Sequence, residues 1–593
     1  MLALLFAALS APPNVLLVMT DDQGWGDLSI HGNEYLETPH LDSIAEDGAR
    51  LKWFYVSPVC APTRASLLTG RMHLRTNVHG VTRGMENMRA DEVTIAELFK
   101  DAGYATAAFG KWHNGAAYPM DPVGQGFDLF VGFCAGHWDN YFDTTVREDR
   151  RGRGSRPLKT DGYLPDVLTD RAIGFMRNQH AAGRPFLCYV PYQTPHWPAQ
   201  VPDKYFDRFA DFAGLDVKAK AAYAMVDNID ENVGRMLAWL DEAGVAEETI
   251  VVFLTDNGAN SDRYDGGMRQ QKGSVHEGGS RVPCFVRWPG KVKPGTLIEP
   301  VTWHCDLLPT LSAMCGVSTA GTKPLDGRDL SPLLLGTGEV DLGERHLVTV
   351  RKTGAAAAVR GPRYRLVKPR MDRPWQLYDI TEDPHETTDL AKKHPEVVGA
   401  MAASYTKLMA EADAKSLEPL PIPVGHPERP SVELQGHEAF LHGASGVEGD
   451  NGVFRQPGGD GIRYHGDNGW ANDWVEQWTG PAAYPFWRID VAEAGDFEVT
   501  VRYALHPADV GVRLKAVAGE SSAEATVDAG LISANHDSPD RFPRSETYTR
   551  DWLTRRIGVV SLPAGESRLE LRAVDIPGRE APQVKGVILR RLP

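Results

Sequence analysis

Strand-length, almost wholly apolar runs alternate with amphipathic stretches from Asn14 to Thr255, and few architectures accommodate that alternation. Asn14-Val-Leu-Leu-Val-Met-Thr20, Tyr104-Ala-Thr-Ala-Ala-Phe-Gly110, Pro185-Phe-Leu-Cys-Tyr-Val190 and Thr249-Ile-Val-Val-Phe-Leu-Thr255 present no polar face. A strand of that kind must be covered on both sides, as happens when helices flank a parallel sheet. Thr94 to Ala102, Val167 to His180 and Ala219 to Ala243 carry apolar residues at helical spacing and supply the cover. The expected class is therefore α/β, with a large, mixed, mostly parallel sheet sandwiched by helices over residues 14–344.

The texture changes after that. Short β-like pieces at His346–Arg351, Ala356–Arg360, Tyr364–Lys368 and Gln376–Ile380, then a helical stretch from Pro395 to Ala412, predict a small antiparallel subdomain over 345–415. Ser416-Leu-Glu-Pro-Leu-Pro-Ile-Pro423 and its continuation to Pro430 read as an extended proline-rich linker, 416–431. From 432 to 593 the pattern is all-β. Phe497–Tyr503 and Arg568–Arg572 alternate apolar and polar residues, as the strands of a β-sandwich do. A chain of 593 residues is too long for one core, which agrees with this division.

Charge and cysteine usage exclude several functions. A net charge of −16 argues against a nucleic-acid binder, so cations that hold an anionic substrate must be concentrated locally. Leu2–Leu9 is a short apolar run ending in the small-x-small pattern Ala8-Leu9-Ser10, so residues 1–13 read as an export signal and the protein as secreted or periplasmic. No cysteine follows in lipoprotein fashion, and no membrane anchor is expected. The six cysteines show no CxxC pair and no zinc spacing. Cys188 and Cys284 lie in apolar runs and read as core; Cys305 and Cys315 either pair or share a helix.

The apolar runs end in polar residues, and in open α/β sheets ligands bind at the carboxyl ends of strands. The ends are Asp21-Asp22-Gln-Gly24, Lys111-Trp112-His113, Thr194-Pro195-His196 and Asp256-Asn257-Gly258. Alone, each is an ordinary turn or a solvated side chain. Together they place Asp21, Asp22 and Asp256 in one cleft, where like charges disfavour joint ionisation unless a cation compensates. Oxygen ligation by these three and the Asn257 amide suits a hard divalent ion, calcium rather than zinc.

One further segment does not read as core: Cys60-Ala-Pro-Thr-Arg64, trailed by Ala65-Ser-Leu-Leu-Thr-Gly70-Arg71. It resembles the signature of the formylglycine-dependent type I sulfatases of the alkaline phosphatase superfamily, Cys-x-Pro-x-Arg followed by Leu-Thr-Gly-Arg. In that family a formylglycine-generating enzyme oxidises the cysteine to formylglycine, whose hydrate attacks sulfur and forms a covalent sulfate ester. The chemistry is sensible: a thiol has no easy route back from a sulfated adduct, whereas a hydrated aldehyde expels sulfate by reforming its carbonyl. The resemblance runs from about residue 14 to 412 and implies site roles. Asp21, Asp22, Asp256 and Asn257 match the calcium ligands, with Cys60, once modified, at the same ion. Arg64 matches the arginine that holds the formylglycine side chain. Lys111 and His113 match the pair beside the nucleophile, with the histidine deprotonating the diol. His196 matches the histidine near the leaving oxygen, and Lys272, in Gln-Lys-Gly-Ser-Val-His-Glu-Gly-Gly279, the lysine between sulfate and leaving group. Trp375–Pro384 resembles the family's C-terminal subdomain signature.

Substrate selection is expected in Phe133-Cys-Ala-Gly-His-Trp-Asp-Asn-Tyr141, where His137, Trp138, Asp139 and Tyr141, with Asn140, form the polar-plus-aromatic set that suits a sugar; the same set also serves as anchors of a packed loop. The arginines of Arg147–Lys159 either meet further sulfates or are solvated. The C-terminal β-sandwich resembles the carbohydrate-binding sandwiches of glycan enzymes, with Trp470, Trp474, Trp478 and Trp487 divided between core and platform. It carries no residue matching the catalytic set and is expected to act as a tethered second site, dispensable for chemistry. The activity implied is sulfate-ester hydrolysis on a sulfated carbohydrate. A formylglycine-dependent phosphodiester or phosphonate hydrolase and a non-catalytic sulfated-glycan binder stand as alternatives.

Overall fold

The computed structural model describes residues 12–442, 461–466 and 469–593. The expected export signal at Leu2–Ser10 lies outside the described residues. Among the described residues no helix is long and apolar enough to cross a membrane.

A ten-stranded sheet organises the first unit. Its strands are β1 (Asn14–Thr20), β2 (Ala49–Tyr55), β3 (Ala105–Lys111), β4 (Leu129–Phe133), β5 (Thr145–Arg150), β6 (Gly154–Lys159), β7 (Phe186–Pro191), β8 (Thr249–Thr255), β9 (Cys284–Arg287) and β10 (Thr296–Trp303). They lie in the order β10-β2-β9-β8-β1-β7-β3-β4-β5-β6. β1 runs parallel to both β7 and β8, and β3 parallel to β7 and β4. β9 and the β5–β6 hairpin supply the antiparallel pairings.

The period of two in β1 explains the layering. Val15, Leu17 and Met19 enter one core with Ala61, Ala65 and Leu68 of the Cys60–Thr69 helix. Leu16 and Val18 enter the opposite core with Leu168 and Ala172 of the Leu164–Ala181 helix and Ile229 and Val233 of the Val217–Glu242 helix. Successive side chains of a strand point to opposite faces, so an unbroken apolar run builds two cores at once.

The hairpin β5–β6 holds most of the arginine-rich run, and carboxylates pair with four of its arginines. Arg147 pairs with Asp121 and Asp149, Arg150 and Arg156 share Glu148, and Arg151 lies 3.7 Å from Asp128. These cations are accounted for within the fold. All six cysteines are unbridged and buried. Cys305 sits in a 3-10 turn and Cys315 at the end of the Leu307–Met314 helix.

Strands β11 (Leu347–Arg351), β12 (Ala356–Arg360), β13 (Tyr364–Lys368) and β14 (Gln376–Asp379) form an antiparallel sheet beneath the Pro395–Glu411 helix. Arg365, wholly buried, joins this subdomain to the first unit through Glu277 at 2.9 Å. The proline-rich stretch leads directly into the last unit: Ile422–Val424 is a strand pairing with Ile489–Val491. Two sheets there enclose Trp478, Trp487, Phe497, Val499 and Leu571.

The sandwich is docked on the first unit rather than tethered beside it. Gln200 donates to Ser538 and Asp540 at 2.7 Å, the Arg541 amide donates to the Ala199 carbonyl at 2.9 Å, and Trp197 meets Phe542 edge-on at 5.0 Å. Glu86 and Glu438 face each other across this junction. Burial pushes Glu438 up to about 8, with the Glu86 charge adding to it, and burial pushes Glu86 up to about 7. A carboxyl raised on folding holds its proton more tightly folded than unfolded, so its contribution to stability falls as pH climbs from its ordinary 4.5 toward 8. Glu438→Gln is therefore expected to raise Tm by roughly 2–4 °C at pH 8.5, a gain that shrinks to nothing near pH 4.5. Calorimetry at the two pH values checks this; a pH-independent shift contradicts it.

Candidate active site

The carboxyl ends of β1, β3 and β8 meet the N-terminal end of the Cys60–Thr69 helix. Val59 enters in extended conformation, Cys60 opens the first turn, and Gly70, at φ 66°, ends the helix where a side chain would be strained. Every residue of this helix is buried, and Cys60 is 4% exposed. Its sulfur, Asp21 and Asp256 offer ligand atoms within 4.8 Å of one another.

Backbone bonds fix the acidic side. The Asp21 amide donates to the Thr194 carbonyl at 3.1 Å, and the Asp256 amide donates to the Thr20 carbonyl at 3.0 Å. Asp22 adopts φ 66°, a conformation Asp tolerates better than most residues, and its amide donates to Asp256 Oδ1 at 3.1 Å. Asn257 Nδ2 donates to Asp22 Oδ1 at 2.8 Å, which turns Asn257 Oδ1 the other way. Asn257 Oδ1 and Asp21 Oδ1 are buried and accept no hydrogen bond.

Cations surround the carboxylates. Lys111 Nζ donates to Asp21 at 2.6 Å, and Lys272 Nζ lies 2.6 Å from Asp22 Oδ1. Arg64, with no exposure, donates to Asp256 Oδ2 at 2.8 Å and to the Lys111 carbonyl at 2.7 Å. Burial pushes Asp21 upward, and burial followed by the Asp21 charge pushes Asp256 up to about 6. Burial would raise Asp22 too, but Lys272 and His196 hold it well below the carboxylate range. Asp22 therefore stays ionised beside two carboxyls that crowding works against.

Two histidines complete the wall. His113 Nε2 donates to the Val81 carbonyl at 2.8 Å, leaving Nδ1 buried and unpartnered. His196 Nδ1 donates to the Trp197 carbonyl at 2.6 Å, and its Nε2 lies 3.6 Å from Asp22. Burial, then Lys111, holds His113 well below 6.5; burial, then Lys272, holds His196 near 4. Both imidazoles are neutral at pH 7. The motif residues expected at the site, from Asp21 to Lys272, thus converge on one pocket of about 230 Å³, of which Cys60, His113, His196 and Lys272 are walls.

The expected substrate residues divide. His137 lines the pocket, its ring nearly parallel to that of His196 at 6.3 Å. Trp138 stacks on Phe133 at 5.1 Å and lines an adjoining cavity. Asp139 lines that cavity too and also accepts from the Thr549 hydroxyl of the sandwich. Tyr141 cannot touch substrate: it is wholly buried, and its hydroxyl holds the 193–197 loop, including the His196 carbonyl at 3.1 Å. That hydroxyl ties down the backbone that carries His196.

The largest departure from the sequence reading is the sandwich. Trp470, Ala471 and Glu546 belong to it, and all three line the pocket beside Cys60. Trp470 keeps 36% of its surface exposed, whereas Trp478 and Trp487 are core and Trp474 is buried against His465 at 3.8 Å. No motif marks Glu546. Its position follows from docking between segments more than 300 residues apart, which local pattern cannot register.

The chain matches the family described as Sulfatase over residues 13–317, and the family described as N-sulphoglucosamine sulphohydrolase, C-terminal, over 269–411. Steryl-sulfatase of Mus musculus is 33% identical over 420 residues, covering 55% of this chain and 65% of that protein. N-acetylgalactosamine-6-sulfatase of Canis lupus familiaris is 33% identical over 361 residues, covering 55% of this chain and 66% of that protein. The chain thus spans just under two thirds of the length of these curated relatives. Among solved structures, that of Ps i-CgsB in complex with k-i-k-neocarrahexaose superposes with a TM-score of 0.64 at 27% identity, covering 69% of this chain and 95% of that one.

Proposed function

Because the chain belongs to the sulfatase family, we propose that it hydrolyses sulfate esters of a sulfated carbohydrate, with Cys60 matured to formylglycine and one calcium ion in the acidic cleft. The observation that carries this reading is the placement of Cys60 at the opening of a buried helix, against Asp21 and Asp256 and in a pocket walled by Lys272, His113 and His196.

The residues suit such a cation. Two buried oxygens, Asp21 Oδ1 and Asn257 Oδ1, lack any donor, and Asp22 and Asp256 complete an all-oxygen set around them. Asp21, Asp22, Asp256 and Asn257 would hold the ion, which would screen negative charge and favour ionisation of the nucleophilic hydroxyl. Formylglycine at Cys60 supplies a hydrated carbonyl as nucleophile.

The other side chains have roles that their geometry supports. Lys111 and Lys272 are preorganised donors for the non-bridging sulfate oxygens. Arg64 fixes Asp256 and the Lys111 backbone beside Cys60, where it would hold the formylglycine side chain. His113, with Nε2–H tied to Val81, presents the lone pair of Nδ1 as a base. His196 presents Nε2 toward the leaving oxygen as the proton donor, loaded when an anionic ester settles beside it. A formylglycine-generating enzyme is the maturation partner, and the Leu2–Ser10 run supports export to the periplasm or medium.

The test exploits leaving-group basicity. A sugar alkoxide needs a proton and a nitrophenolate needs little, so His196→Ala is expected to slow a sugar sulfate about 10²-fold or more and 4-nitrophenyl sulfate less than about 10-fold. Equal losses on both assign His196 to positioning. An aryl phosphodiester turned over faster than the aryl sulfate would overturn the sulfatase reading itself.

A further inference from the structure

The pocket beside Cys60 adjoins a cavity of about 590 Å³; the two share Val81, Thr82, Gly136 and Ala471 as walls. The first unit contributes Trp138 and Asn140 to this chamber, and the sandwich contributes Asn472, Trp552, Arg550 and Lys585.

Two of its cations stand out by their partners. Lys585, on the Gln583–Arg591 strand, is 7% exposed, and its ammonium donates to the Asn472 carbonyl at 2.8 Å. Arg550, 9% exposed, lies 4.3 Å from the Trp474 ring and 4.8 Å from Trp552, and donates to the Gln583 side chain. Neither forms an ion pair among the described residues. In the same chamber Arg147 is paired with Asp121 and Asp149, and Arg502 with Glu433 at 2.6 Å. The carboxylates that act on Lys585 and Arg550 (Glu433, Asp139 and Asp473 on the former, Glu476 on the latter) lie beyond ion-pair distance, and Asp139 and Glu433 line the same chamber. A buried cation held only by such longer-range charges gains from an anion in direct contact. Burial, followed by the Arg502 charge, lowers Lys585 to about 8, which still leaves it mostly cationic at neutral pH.

We propose that this chamber is a second sugar subsite, in which Lys585 and Arg550 receive the anionic group of the unit next to the one being desulfated. The inference rests on the sulfate-ester reading above. It makes the substrate an oligosaccharide with at least two anionic units, and it makes the sandwich part of the binding cleft. The aromatic faces of Trp138 and Trp552 and the amides of Asn140 and Asn472 are the groups a sugar ring requires beside such an anion. The anion is a sulfate or a uronate carboxylate, and the probes below separate the two.

Calorimetric titration of full-length Cys60→Ala protein, which binds without turnover, tests the subsite. The probes are k-i-k-neocarrahexaose, carrying sulfates; hyaluronan hexasaccharide, carrying carboxylates only; and neutral maltohexaose. At least one charged hexasaccharide should bind more tightly than maltohexaose. Adding Lys585→Gln should raise its Kd tenfold or more, and Lys585→Arg should restore it to within about threefold. Arg550→Gln gives the same answer should Lys585→Gln fail to fold. Dependence on the sulfated probe assigns a sulfate, and dependence on hyaluronan a carboxylate; both uphold the subsite. Charged probes no tighter than maltohexaose, or Kd values unmoved in folded Lys585→Gln and Arg550→Gln, overturn it. Absence of sulfate release by the unmutated enzyme would refute the proposed function without touching these Kd values, so the two failures are distinguishable.

Discussion

Cys60→Ala is expected to lower kcat on 4-nitrophenyl sulfate by at least about 10⁴-fold and to leave Tm within about 2 °C of the parent. The expected size follows from the proposed covalent catalysis: with the nucleophile gone, electrostatics and positioning would be all that remain, and these recover only a small part of the rate. The stability of the variant follows from the site. Cys60 is a small side chain at the opening of the Cys60–Thr69 helix, and alanine is a good helix former that leaves the buried Arg64–Asp256 and Lys111–Asp21 pairs in place. Steady-state kinetics with a parallel thermal melt read both quantities. A folded Cys60→Ala enzyme within about tenfold of the parent rate would remove Cys60 from the chemistry.

Asp21→Asn carries the second large effect. The change keeps the shape of the side chain, lets its carbonyl accept from Lys111, and deletes one negative charge from the oxygen set. With Asp21 neutral, the cleft retains Asp22 and Asp256 against Lys111, Lys272 and Arg64, a balance that disfavours a divalent cation. Metal content should fall from about one ion per chain to less than about 0.1, and turnover about 10³-fold or more. Elemental analysis of purified, dialysed protein beside the rate on 4-nitrophenyl sulfate is the measurement. Stoichiometric metal in the variant would move the ion to other ligands. Lost turnover with full metal retention would give Asp21 the narrower task of placing Lys111.

Much of this site is legible in the sequence, for a physical reason. A fully buried parallel strand must be apolar along its length and must stop where polar groups can meet solvent or ligand, so Thr20, Lys111 and Thr255 mark the cleft floor before any coordinates exist. The Cys60–Arg64 segment is legible only through its resemblance to the family signature, since an isolated cysteine before an apolar helix otherwise reads as core. Tyr141 shows the limit of composition: an aromatic among polar neighbours suits a sugar, yet its hydroxyl is fully used by backbone carbonyls of the 193–197 loop. The docking of the sandwich is illegible for a different reason. Gln200 with Asp540, Asp139 with Thr549 and Thr82 with the Gly469 carbonyl are pairings of ordinary polar residues, and they acquire meaning only when two separately folded surfaces meet. Trp470 and Glu546 reach the pocket by that route, so a domain without catalytic motifs forms one wall of the site.

Whether Cys60 is the precursor of the nucleophile is decided by peptide mass spectrometry of the active protein. The peptide spanning Cys60 to Arg64 should carry formylglycine in place of cysteine, losing the thiol and reacting with a hydrazide, in proportion to specific activity across preparations. Fully active protein whose Cys60 is an unmodified, alkylatable thiol would contradict the account.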